Sequence, residues 1–182
     1  SLGQLWPEVH NDDYLQGILL TNIIGGTMSS RMFQLLREVH GLAYDVEADV
    51  DAYADTASMI ISAVVERENL DKTLDLILDE LERLKKDSIT KEEFERTKRM
   101  LSAQLNIERD SLSTLLWHAV ESEINHGKQV RYEEVLQSYE ELTLEKMSEF
   151  INNWIVDAKH LLVLGGDVED YEVSDRIKGE CL

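Results

Sequence analysis

Residues 29–46 read SSRMFQLLREVHGLAYDV, and the spacing of apolar residues changes within them at Gly41. Before the glycine, Met32, Leu35, Leu36 and Val39 recur at intervals of three and four, which places them on one side of a helix. Ser29 or Ser30 offers a hydroxyl to cap its start, and Gly41 can turn left-handed to end it. After the glycine the period is two. Leu42, Tyr44, Val46, Ala48, Val50 and Ala52 alternate with Ala43, Asp45, Glu47, Asp49, Asp51 and Tyr53, a pattern that only a strand sorts onto two faces. One face is apolar and the other carries four acids. Arg37 flanks the helical stripe and Tyr44 falls on the apolar alternation, so a solvated charge and a core aromatic are the plain readings of each.

Outward from this junction, residues 13–24 read as a helix ending at Gly25-Gly26. ASMIISAVVE at 57–66 reads as the antiparallel partner of the first strand, reached through a short YADT turn. Leu70, Leu74, Ile77, Leu78, Leu81 and Leu84 form the stripe of an amphipathic helix. Thr90 with Glu93 forms a capping box at the start of a helix running to about Ile107. Further helices are expected over STLLWHAVESEIN, ending near Gly127, and from Thr143 with Met147, Phe150, Ile151 and Trp154 inward. HLLVLGG at 160–166 reads as a short buried strand. No element is assigned between Gly127 and Thr143. The order predicts an α+β fold, an antiparallel sheet with helices packed on one face.

Composition narrows the function. Lys plus Arg total 18 against 37 for Asp plus Glu, a net charge of −19 over 182 residues, which repels phosphate backbones and argues against nucleic acid as a partner. The apolar runs fall well short of the ~20 residues of a membrane span, and no membrane partner is expected. The lone Cys181 cannot form an intramolecular disulfide and has no visible activating setting, consistent with a reduced, cytoplasmic environment. The five histidines stand at 10, 40, 118, 126 and 160, and no two are four apart, so neither HExxH nor HxxEH is present. His118 and Glu121 match two letters of HxxEH, but Ser122 stands where the second ligand would be. No metal site is expected. Gly25-Gly26-Thr27 follows a helix rather than a strand and is not a dinucleotide loop.

The run NIIGGTMSSRMFQLLREVHGLAYDVEADVDAYADTASMIISAVVERENLDKTLDLILDEL, residues 22–81, resembles the C-terminal half of the insulinase-like, or pitrilysin-like, zinc metallopeptidases, which include the mitochondrial processing peptidase. The specific features are the GG-x-x-SSR helix and the LRE-x-x-GLAY that follows it. The likeness continues more loosely through TKEEFERTKRMLSAQL and LLVLGGDV. It implies a LuxS/MPP-like metallohydrolase half, with residues 14–166 as the domain and 167–182 as an acidic polar tail. Residues 1–13 look too short and polar to supply the first strand of such a half. They are therefore expected to be a leader or remnant, leaving the sheet without that strand.

The resemblance also implies a role. Zinc, held on HxxEH in an N-terminal half, would polarise the scissile carbonyl and activate water, while the C-terminal half contributes an Arg and a Tyr seven residues apart. Arg37 and Tyr44 occupy those positions, and both are donors suited to a peptide carbonyl or a tetrahedral oxyanion. Gly25, Gly26, Ser29, Ser30, Asp45 and Glu47 are the accompanying substrate-binding candidates. The expected partners are a zinc-bearing half or subunit and a peptide substrate, and this chain alone is expected to be inactive, with no cofactor of its own. Two alternatives remain: a non-catalytic scaffold subunit of such a peptidase, and an acidic interaction module for basic peptides.

Overall fold

The computed structural model describes residues 1–156 and 158–180, so Cys181 lies outside the described residues. A four-stranded antiparallel sheet in the order β2-β3-β1-β4 is built from β1 (Leu2–Trp6), β2 (Ala43–Ala52), β3 (Ala57–Val65) and β4 (Leu161–Leu162). The helices are α1 (Tyr14–Ile24), a π-helix (Phe33–Val39), α2 (Leu70–Asp87), α3 (Lys91–Glu108), α4 (Leu112–His126), α5 (Tyr132–Glu140), α6 (Leu144–Trp154) and α7 (Asp175–Glu180). Leu2, Trp6, Val46, Ala48, Met59 and Ile61 cover one face of the sheet. They meet Leu19, Leu20, Ile23 and Ile24 of α1, the α2 stripe, and Met147, Phe150 and Ile151 of α6 in a single core.

The first strand is present, contrary to the reading of residues 1–13. Leu2–Trp6 lies between β3 and β4 and is hydrogen-bonded along both edges. The segment looks polar because Gln4 interrupts it, but Leu2, Gln4 and Trp6 all point inward and are buried. The Gln4 side-chain amide donates to the Trp154 carbonyl at 3.3 Å, so a polar residue sits inside the sheet with one of its groups satisfied. Trp6 packs edge-on against Phe150, ring centroids 5.3 Å apart.

Other elements depart from expectation in smaller ways. β4 is a two-residue edge strand with Leu161 and Val163 exposed, rather than a buried one. α5 fills the gap left before Thr143, anchored by the buried Tyr132 and Tyr139. The segment read as a polar tail returns along α2, where the Tyr171 hydroxyl donates to Asp71 and Arg176 pairs with Asp75 and Asp79.

An ion cluster ties the start of the π-helix to α2 and α3. Arg31 Nε lies 2.7 Å from Glu93 Oε1, its Nη2 donates to Glu93 Oε2 at 2.9 Å and to the Ser88 carbonyl at 3.0 Å, and its Nη1 reaches Glu80 at 3.1 Å. Glu93 also accepts from the Thr90 amide and hydroxyl, both at 2.8 Å, so the expected capping box is present and doubles as the arginine's counterion. Burial pushes the Glu93 carboxyl up, but the bonds from Arg31 and Thr90 outweigh it and hold its pKa at about 2 against an ordinary 4.5. Replacing Arg31 with Met leaves Glu80 with only the half-exposed Arg83, 2.9 Å away, and Glu93 with only its Thr90 bonds, and should cost about 2–4 kcal/mol of stability, measured by urea denaturation. Because the folded-state pKa of Glu93 is depressed, its contribution is full above the unfolded value and is lost as pH falls from about 4.5 towards 2. Glu93→Gln should flatten the acid limb of the stability profile in that window.

Candidate functional site

The junction from Phe33 to Tyr44 contains three departures from regular backbone. The helix widens to i→i+5 bonding, shown by the His40 amide donating to the Leu35 carbonyl at 3.2 Å; such turns concentrate at functional sites. Met32 and Leu36 are fully buried as the spacing predicts, but the wider turn carries Val39 off the stripe and into solvent. Gly41 then takes φ +58°, the left-handed stop expected of it. Finally, Ala43 pairs with Val65 and Asp45 with Val64, leaving Tyr44 as an extra residue in β2.

That bulge reverses the expected position of Tyr44. By alternation the tyrosine belongs with Val46 on the core face, but the inserted residue puts Ala43 there instead, and Tyr44 is 83% exposed. It borders a cleft with Gly41, Leu42, Val65, Glu66 and Asn69. Arg37 is exposed on the π-helix with its guanidinium 5.0 Å from the Phe33 ring centroid, a cation–π contact that orients it without consuming its hydrogen-bond donors. Both ends of the junction therefore present polar tips to solvent, and core packing does not account for the tyrosine.

The remaining candidates fall in two other places. Gly25 and Gly26 share a cleft of about 320 Å³ with Glu47, Asp49, Thr21 and Asn22. What requires glycine here is space. A Cβ on Gly25 would lie 2.4 Å from the Ala48 amide nitrogen, and one on Gly26 would lie 2.5 Å from Asn22 Oδ1. The Gly25 carbonyl accepts from that Ala48 amide at 3.2 Å, which fastens the end of α1 to β2. Ser29 and Ser30 border a separate cleft beside Arg31, Glu80 and Glu93. Neither hydroxyl caps the helix as expected: Ser29 pairs with the Thr27 hydroxyl at 3.2 Å, and the buried Ser30 hydroxyl has no partner among the described residues. Asp45 and Glu47 are exposed on the side of β2 that faces away from the core.

The sequence reading passed over Arg31, although its place beside two serines and a long run of charged helix was the available signal. His118 is a structural residue: its Nε2 lies 2.7 Å from the Val130 carbonyl and its ring packs on Tyr132 at 4.2 Å. Among the described residues no group of three or more His, Cys, Asp or Glu could hold a metal ion, and no helix is long and apolar enough to cross a membrane.

The chain is an α+β domain, an antiparallel sheet backed by helices, with Arg37 and Tyr44 exposed at a helix-to-strand junction. The model of the peptidase M16 inactive domain family matches residues 1–101, and the chain belongs to that family. It is 30% identical over 147 residues to the uncharacterized zinc protease YmxG of Bacillus subtilis, covering 81% of this chain and 36% of that protein. To the uncharacterized zinc protease Rv2782c of Mycobacterium tuberculosis it is 31% identical over 144 residues, 79% of this chain and 31% of that one. The chain thus spans about a third of the length of these curated relatives. Among solved structures, a peptidase M16 inactive domain from Pseudomonas fluorescens superposes with a TM-score of 0.73 at 22% identity, covering 84% of this chain and 36% of that one. A chain of complex III2 from Candida albicans gives 0.83 at 16% identity, covering 100% of this chain and 46% of that one. Both share its fold.

Packing predicts a separation between the clusters. Gly25→Ala should cost about 1–3 kcal/mol, because the Cβ collides with backbone that cannot withdraw. Tyr44→Phe should leave the thermal midpoint within the range of a surface change, under about 0.5 kcal/mol.

Proposed function

We propose that this chain is the substrate-clamping half of a zinc endopeptidase or processing protease, acting with a zinc-bearing half that holds the metal. The observation that carries the reading is the junction itself: Arg37 is exposed on the π-helix and a β-bulge exposes Tyr44, while the flanking Leu36, Ala43 and Val46 remain in the core. The guanidinium fork and the phenol supply hydrogen bonds to a peptide carbonyl, and their donation strengthens as negative charge gathers on that oxygen in the transition state. Zinc belongs to the other half in this reading, since the described residues here offer no ligand group. The acids Asp45, Glu47, Asp49 and Asp51 on the outward side of β2 would draw basic segments of a peptide towards the clamp.

The relatives named as zinc proteases support the protease context. A scaffold role is the second reading, and the acidic outward side of β2 is what favours a third, an acidic module for basic peptides. Peptidase activity of this chain combined with its zinc-bearing half separates them. Arg37→Ala and Tyr44→Phe should each lower kcat/KM by about 10-fold or more at unchanged stability, over 1 kcal/mol of transition-state stabilisation. Full activity in both variants would assign the chain to scaffolding, and salt-sensitive binding of basic peptides without the zinc-bearing half would favour the acidic module.

A further inference from the structure

Arg37 is partnered unlike most arginines of this chain. Acids outnumber bases by 37 to 18, and Arg31, Arg67, Arg83, Arg109, Arg131 and Arg176 each pair with a carboxylate. Among the described residues the Arg37 guanidinium has no ion pair and no hydrogen bond; it lies over the Phe33 ring, 5.0 Å from Cζ to centroid. Phe33 opens the π-helix and Arg37 follows about one turn later. The ring is itself anchored, since Phe33 is half-buried and packs against the core, whereas Arg37 is exposed. A second cation–π pair, Lys98 over Phe94 at 5.4 Å, has the same sequence spacing but a different use. There the ammonium also donates to the Glu140 and Leu142 carbonyls, at 2.7 and 2.9 Å, which fastens α3 to the end of α5. Arg37 has no such carbonyl among the described residues.

We propose that Phe33 is the positioning residue of the clamp, an inference that rests on the reading of Arg37 as a substrate-contacting residue. Its ring holds the guanidinium by the face and leaves the N–H donors at the edge free for a peptide carbonyl. The physics favours a ring over an acid in this place. A carboxylate would hold the guanidinium more firmly but would occupy those donors, and its charge would oppose the negative charge gathering on the substrate oxygen. An aromatic face attracts the cation through its quadrupole without taking the donors at its edge. A long side chain with no support would also lose its rotamer freedom on meeting the substrate, whereas one held on a ring has already lost part of it. Phe33 thus acts through Arg37 and touches no reacting atom.

NMR of the chain by itself reads the contact, and kinetics with the zinc-bearing half reads its use. The Arg37 side-chain protons should carry an upfield ring-current shift that Phe33→Leu abolishes and Phe33→Tyr retains. In the peptidase assay Phe33→Leu should lower kcat by about 2- to 5-fold, the range of an exposed cation–π contact, with KM little changed, and Phe33→Tyr should keep the wild-type rate. In an Arg37→Ala background Phe33→Leu should have no further effect, because the ring has no guanidinium left to hold. A merely structural Phe33 would lower activity equally in both backgrounds, and that result overturns the proposal. So does an Arg37 side chain without the ring-current shift in the wild type. If Arg37→Ala keeps full activity, the clamp reading falls and this inference with it. If Arg37→Ala is impaired and Phe33→Leu is not, the clamp stands and only the role of Phe33 is overturned.

Discussion

The guanidinium of Arg31 is the interaction on which the arrangement of this domain depends. It enters the protein at the first turn after the Gly25-Gly26 corner and ends among Glu80 of α2, Glu93 of α3 and the Ser88 carbonyl between them. A cation there without partners would be costly, and so would either carboxylate alone; together they satisfy one another only in one relative placement of three elements. Glu93 contributes twice, as the capping-box acid of α3 and as the bidentate partner of Arg31. The helix that begins at Arg31 is the one that presents Arg37, so the cluster sets the position from which the proposed clamp acts.

Backbone irregularity is concentrated in the dozen residues downstream. The π-turn, the left-handed glycine and the bulge each depart from the regular form of the adjoining element, and the first and last each move a residue relative to the core. Val39 is turned out by the first and Tyr44 by the last, while Met32, Leu36, Ala43 and Val46 remain buried. Regular helix followed by regular strand would have placed the tyrosine in the core. The distortions are compatible with a stable fold because the apolar residues on either side hold the chain in place.

The edge strand β2 shows how a heavily acidic surface and an open sheet coexist. Along its outer side, the Ala48 amide is taken by the Gly25 carbonyl at 3.2 Å and the Val50 amide by the carboxylate of Asp49 at 2.8 Å. Two donors that would invite a further strand are thereby occupied, and the row of acids discourages pairing between like copies. The corner glycines are part of this device, since only a residue without a Cβ lets the end of α1 approach β2 closely enough for that bond.

Much of this was legible in the chain because it rests on local periodicity and local chemistry. The α2 stripe, the Thr90–Glu93 box, the stop at Gly41, the end of α4 at Gly127 and the pairing of the two long strands all follow from neighbours in sequence. Arg37 and Tyr44 stand out in the sequence only through a family pattern, and the clamp built on them is a proposal. What tertiary structure decided is of another kind. Leu2–Trp6 becomes a central strand because β3 and β4 meet it on both sides, which no property of five residues reveals. Tyr44 faces outward because β2 and β3 pair with one residue to spare, and α4 leaves Leu112, Leu116 and Ile124 in solvent while the ring of its His126 meets His10 from the far end of the chain. Periodicity records which side chains share a face of an element; which way that face points is settled by contacts between residues far apart in the chain.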